Sequence, residues 1–129
     1  MKNDETISAT RILIAEDDDA MRIFLENALS RAGHLVNALP SGDSAATCSN
    51  LGGYDILVTD VKMPGMDGVD LARQMLADFP ELRVMFVTGF AASALQATDL
   101  IDRGARVLSK PFKLSDLVGQ VESMIVAPG

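Results

Sequence analysis

Short apolar runs recur along the chain, each ending in a polar residue and a turn. They are Arg11–Ala15 (RILIA), Leu35–Leu39, Ile56–Val58 within Tyr54–Met66 (YDILVTDVKMPGM), Arg83–Val87 (RVMFV) and Arg106–Leu108. Runs this short, with β-branched residues, predict buried parallel strands. Between them apolar positions take helical spacing. Met21, Phe24, Leu25, Ala28 and Leu29 predict a helix over Asp19–Ala32, stopped by Gly33. A weaker helix is predicted over Asp43–Asn50, after the turn Pro40-Ser41-Gly42. An amphipathic one follows over Val69–Asp78, ended by Pro80. A small-residue helix is predicted over Ala92–Arg103, and a last one over Ser115–Val126 with Ser115 or its neighbour as cap. Five strands alternating with five helices predict an α/β three-layer domain on a parallel sheet, with right-handed crossovers.

In such a sheet the carboxyl ends of the strands share one edge, where open α/β sheets place ligand sites. The first strand delivers Glu16, Asp17, Asp18 and Asp19 there, the third Asp60, the fourth Thr88, and the fifth Ser109 and Lys110. Each has an ordinary structural reading. A lone Asp caps a loop, a lysine at a strand end reaches solvent, and Asp18 or Asp19 caps the first helix and complements its positive end. Four adjacent carboxylates exceed what capping uses, and the repulsion at Glu16 and Asp17 is relieved by a cation between them. Three carboxylates (Glu16, Asp17, Asp60) suit Mg²⁺, a hard cation that takes oxygen ligands. A metal beside Asp60 offsets carboxylate–phosphate repulsion, Lys110 and Thr88 supply a cation and a hydroxyl for phosphoryl oxygens, and Asp60 becomes a nucleophile of aspartyl-phosphate chemistry.

Composition narrows the field. At 129 residues, 48% of them apolar, the chain predicts one globular domain. Its formal charge of −7 argues against a nucleic-acid surface. No apolar stretch reaches the roughly 18 residues that span a bilayer. Residues 1–10 (MKNDETISAT) lack the apolar core of a secretory signal and are expected to form a polar, disordered extension, so a cytoplasmic protein without membrane partners is expected. The expected domain spans 11–126, with 127–129 as a tail. Cys48, the single cysteine, is read as a packing residue, the scattered methionines as core, and His34 as an exposed turn residue.

The motifs AEDD (Ala15–Asp18), DVKMPGMDG (Asp60–Gly68), VTG (Val87–Gly89) and SKPF (Ser109–Phe112) resemble the receiver domains of bacterial two-component response regulators. The resemblance covers about Arg11 to Val126. It implies a flavodoxin-like (βα)₅ doubly wound sheet with strand order 2-1-3-4-5, an order for which receiver proteins serve as a standing example. It also implies that Asp60 is the phosphoacceptor and that Glu16 and Asp17 form an acidic Mg²⁺ pocket with the Lys62 backbone carbonyl. Thr88 and Lys110 are then phosphoryl contacts, and Lys110–Pro111 a cis peptide.

One position departs from the family's pattern. Many receivers carry an aromatic switch residue three positions before the lysine, where this chain has Val107. The coupled rotation of threonine and aromatic ring therefore cannot run in its usual form. Gly89 and Phe90 are the candidate reporters in its place, and Phe90 and Lys62 occupy positions that in the family tune phosphoryl lifetime. The resemblance makes a histidine kinase or histidine phosphotransferase the phosphoryl donor and a separate effector protein the target. The run VMFVTGFAASAL with VLSKPF resembles the CpdR type of single-domain receiver, which implies a phosphorylation-gated adaptor for the ClpXP protease in the cell cycle. One rival is a phosphorelay intermediate or phosphate sink without an effector. A rival of another class is an aspartyl-phosphate phosphohydrolase. Such enzymes carry an acid–base Asp two residues after the nucleophile; Lys62 stands there instead and cannot serve as that acid at neutral pH. No enzymatic turnover of a separate substrate is expected.

Overall fold

Ile12–Ala15 are fully buried, and so, to within a percent, are Ile56, Leu57 and Val58, because helices cover both sides of these strands. The computed structural model describes residues 9–89 and 96–126. Along them run β1 (Arg11–Ala15), α1 (Asp19–Arg31), β2 (Leu35–Leu39), α2 (Gly42–Ser49), β3 (Ile56–Thr59), α3 (Gly68–Asp78), β4 (Arg83–Thr88), α4 (Thr98–Asp102), β5 (Arg106–Ser109) and α5 (Leu114–Val126). The strands form one parallel sheet in the order β2-β1-β3-β4-β5, as expected.

Alternation along the strands builds two cores. Leu13, Leu57, Val84 and Phe86 face α2, α3 and α4, where they meet Ala45, Leu71, Met75 and Leu100. Ile12, Ile14, Ile56, Val58, Met85 and Val87 face the other way, against Leu25 and Leu29 of α1 and Leu117 and Val121 of α5. The sheet is therefore the middle of three layers, and its carboxyl edge is left to the loops.

Element ends differ from the predicted ones by a residue or so. β3, β4 and β5 run one residue further, through Thr59, Thr88 and Ser109. Ser41 caps α2 by accepting from the Ser44 N–H at 3.0 Å. α5 starts at Leu114, so Ser115 lies inside it; Asp116 reaches back to the Lys113 N–H at 3.1 Å instead. α4 is short, and the predicted start at Ala92 lies outside the described residues. So do residues 1–8 and 127–129, while the Thr10 carbonyl already accepts from the Leu35 N–H. Among the described residues no helix is long and apolar enough to cross a membrane.

Two side chains sit differently from their local pattern. His34 is not exposed: its side chain is 8% accessible, and Nε2 lies 2.9 Å from Glu122 Oε2 on α5. Cys48 packs as expected, half-buried, but its Sγ also lies 3.1 Å from the Tyr54 hydroxyl, which accepts from Asn37 Nδ2.

On the other side of the sheet Arg73 of α3 grips the start of α4. Its guanidinium donates to both Asp99 oxygens, at 2.7 and 2.9 Å, and to the Gln96 carbonyl at 3.0 Å. The Arg73 hydrogen bonds hold the Asp99 pKa down, from 3.8 to about 2. A carboxylate with a lowered folded-state pKa stabilises the fold above its unfolded pKa and loses that contribution as pH falls toward the folded value. Stability should therefore drop between pH 3.8 and about 2. In Arg73→Gln this share of the drop disappears, and Asp99 titrates in the ordinary range when its carboxyl is followed by NMR. In the core, Phe86→Ala should cost about 3–5 kcal/mol in chemical denaturation, since the ring is fully buried against Leu57 and Val107 neighbours in one cluster.

Candidate functional site

The four carboxylates that follow β1 have four different fates. Glu16 is enclosed, 1% exposed, and its oxygens accept from Lys110 Nζ at 2.9 Å and the Asp18 N–H at 3.1 Å. Asp17 is exposed at the rim. Asp18 caps α1 by accepting from the Met21 N–H at 2.8 Å. Asp19 pairs with Arg22 at 2.6 Å. Arg22 also donates to the Glu16 carbonyl at 3.0 Å, so one guanidinium ties the loop to the first turn of its helix.

Asp60 follows β3 directly. Its N–H donates to the Ala15 carbonyl at 3.1 Å, which continues the pairing of β1 with β3 into the loops. Its carbonyl accepts from the Thr59 hydroxyl at 2.8 Å. Gly68, the first residue of α3, lies so close that a Cβ there would collide with the Asp60 carbonyl. The intervening loop carries buried Val61 and Met63 and exposed Lys62. It is seated on α2, where Asp43 accepts from the Met66 N–H at 3.3 Å and crowds Gly65, whose φ is +77°.

Lys110 completes the group from β5. Its N–H donates to the Thr88 carbonyl at 2.8 Å, the Lys110–Pro111 peptide is cis, and Nζ donates to Asp60 Oδ2 at 3.0 Å as well as to Glu16. Thr88 is 1% exposed at the end of β4, in register with Ser109. Burial raises the Glu16 pKa; the hydrogen bonds from Lys110 and the Asp18 N–H only partly offset it, and the neighbouring Asp60 adds to the rise. Burial pulls Lys110 down, but its hydrogen bonds to Glu16 and Asp60 outweigh it and lift the ammonium above its ordinary value, so it stays charged at neutral pH.

One oxygen from each of Glu16, Asp17 and Asp60 lies within 4.8 Å of the others. An all-oxygen, all-anionic set open to water on one side fits Mg²⁺, which keeps several of its waters. The structure thus brings Glu16, Asp17, Asp60 and Lys110 together, with Thr88 holding the lysine backbone. Val107 is set apart from them: it pairs with Phe86 and packs into the core on the α3 side. Gly89 is exposed just beyond Thr88, and Phe90 lies outside the described residues. Arg22, Thr59, Asp43 and Gly68 were not apparent as site-building residues from sequence alone. Arg22 had one signal, its spacing three residues after Asp19 on a helix.

A family described as the response regulator receiver domain matches residues 12–122. The response regulator receiver protein CpdR of Brucella abortus is 48% identical over 91% of this chain and 98% of that protein. The sensor kinase CckA of the same organism is 38% identical over 92% of this chain, which spans 13% of the kinase. Among solved structures, a response regulator receiver protein from Sinorhizobium medicae superposes with a TM-score of 0.84 at 29% identity, covering 95% of this chain and 98% of that one. TrrA of Thermotoga maritima, solved in complex with Mg²⁺–BeF, shares the fold with a TM-score of 0.78 at 23% identity, over 89% of this chain and 98% of that one. From Ile12 to Glu122 this chain belongs to the response regulator receiver family.

Proposed function

We propose that the chain is a stand-alone receiver that accepts a phosphoryl group on Asp60 and thereby switches its contacts with other proteins. The observation that carries this reading is the Asp60 carboxylate, held 3.0 Å from Lys110 Nζ and grouped with Glu16 and Asp17 at the sheet edge. An Asp60 oxygen attacks the phosphorus of a phosphohistidine on a kinase or phosphotransferase. The P–N bond breaks, the imidazole leaves with its electron pair and takes up a proton, and Asp60 keeps the phosphoryl group as an acyl phosphate. Glu16, Asp17, Asp60 and the Lys62 carbonyl would hold Mg²⁺, which would supply the charge that offsets carboxylate–phosphate repulsion. Lys110 gives up Asp60 Oδ2 and takes a phosphoryl oxygen, and the Thr88 hydroxyl donates to another.

The consequence leaves the site by a route other than residue 107, where an aliphatic side chain is fixed in the core. α3 starts in contact with the Asp60 carbonyl through Gly68, and its Arg73 holds Gln96 and Asp99. A shift of the phosphorylated loop is therefore transmitted to the start of α4. Similarity to CpdR supports an adaptor for the ClpXP protease, gated by phosphorylation and fed by a histidine kinase relay. Gly89 and Phe90 belong to the segment that responds.

Treatment with acetyl phosphate and Mg²⁺ should add one phosphoryl group to the wild type, seen by mass spectrometry, and none to Asp60→Asn. An Asp60→Asn protein that is still modified would sink the assignment. Pull-downs with ClpXP should give different yields for phosphorylated wild type and Asp60→Asn; equal yields would leave a receiver that serves only as a relay or sink. Arg22→Ala, which frees the acidic loop, should weaken Mg²⁺ binding about tenfold, and Arg22→Lys should recover part of it in the same titration.

A further inference from the structure

At the sheet edge opposite Asp60, three arginines gather outside any ion pair among the described residues. Arg83 and Arg106 open the adjacent strands β4 and β5. Met85 is in register with Arg106, so by alternation Arg83 and Arg106 project to the same sheet face, the one covered by α5. Arg106 confirms the side by donating to Gln120 Oε1 and Ser123 Oγ of α5. Arg103 adds a third guanidinium from the C-terminal end of α4. All three line a cavity of about 380 Å³, together with Leu82, Leu100 and Met124.

The charge there is unbalanced. Gln120 and Ser123 are neutral acceptors, and among the described residues none of the three arginines is in an ion pair. Arg22 and Arg73, by contrast, each hold an aspartate. Acids are plentiful in a chain with 18 of them, so pairing was available. The C-terminal ends of α4 and α5 lie at this edge and offset some of the charge. Each contributes at most roughly half an elementary charge, and Glu81 a full one, against three guanidiniums.

We propose that this cavity binds a small organic phosphate of nucleotide size. Guanidiniums present planar forks that match phosphate oxygens in pairs. Leu82, Leu100 and Met124 give the cavity an apolar floor, each of them less than a tenth exposed, and Glu81, which also lines the cavity, accepts from sugar hydroxyls. The volume falls in the range of small-ligand pockets, roughly 300–1,000 Å³. A polyacidic peptide fits less well, because Glu81 would repel it inside the same wall. The site lies across the sheet from Asp60, so its occupancy leaves the phosphoacceptor chemistry intact.

The test is an amide NMR titration of the full chain with adenosine 5′-monophosphate, guanosine 5′-monophosphate and inorganic phosphate, without Mg²⁺. At least one nucleotide should bind more tightly than inorganic phosphate and shift the amides of Arg83, Gly104 and Ala105. The double variant Arg83→Gln/Arg103→Gln should weaken that binding about tenfold or more, with acetyl phosphate labelling of Asp60 unchanged. Arg103→Gln alone, an exposed helix-end change, gives the same direction of effect if the double variant does not fold. Nucleotides no tighter than phosphate, shifts centred on Glu16 and Lys110, unaltered affinity in the variants, or displacement by a polyglutamate peptide would each overturn the proposal.

Discussion

Lys110 holds Glu16 and Asp60 at once, at 2.9 and 3.0 Å, and the arrangement of three strands depends on that contact. A carboxylate as enclosed as Glu16 is tolerated only against a cation and hydrogen-bond donors, because the isolated charge would be strongly penalised. The lysine arrives from β5, at one border of the sheet, while Glu16 follows β1, with β3 and β4 between them. The ammonium must therefore reach across the ends of two strands, and it starts from a backbone fixed to the Thr88 carbonyl. Removing Lys110 leaves two neighbouring carboxylates uncompensated, one of them buried. The cluster is thus a feature of the fold as well as the candidate site.

On the proposed reading the same contact would make phosphorylation a structural event. A phosphoryl group on Asp60 would draw on the ammonium that Asp60 and Glu16 now share. Around it the backbone leaves little slack. Gly68 abuts the Asp60 carbonyl, Thr59 donates to that carbonyl, and Asp43 holds the Met66 N–H. A displacement of Asp60 would therefore reach α3. Arg73 ties α3 to the start of α4, while Val107 lies beside Phe86 in the neighbouring strand.

Local pattern carried most of this into view. The apolar runs predicted every strand to within one residue, and a parallel sheet turns strand ends into neighbours without any further information. Glu16, Asp60, Thr88 and Lys110 were legible for that reason. The misses share a cause as well. His34 was expected in solvent, but its partner Glu122 is 88 residues away on a helix that crosses the same face. Arg22 and Asp43 support the site through backbone groups, and hydrogen bonds to a backbone carbonyl or N–H leave no residue-type signature at the receiving position. The start of α5 was misplaced because Ser115 looked like a cap. Asp116 performs that function from inside the helix by reaching back to Lys113.

Some of the charge at the two edges follows from helix geometry. In a parallel sheet with alternating helices, the helices run against the strands, so their N-termini point at the carboxyl edge and their C-termini at the other. Asp18 and Asp67 cap α1 and α3 at the first edge, accepting from Met21 and Asp70. Arg31 ends α1 and Arg103 ends α4 at the second. Helix dipoles favour both placements. The acidic edge is consequently poorly suited to receive a phosphoryl group unaided, and on the proposed reading Lys110 and a divalent cation together would offset its charge. One lysine already divided between two carboxylates could serve one phosphoryl oxygen, and the cation would serve the others.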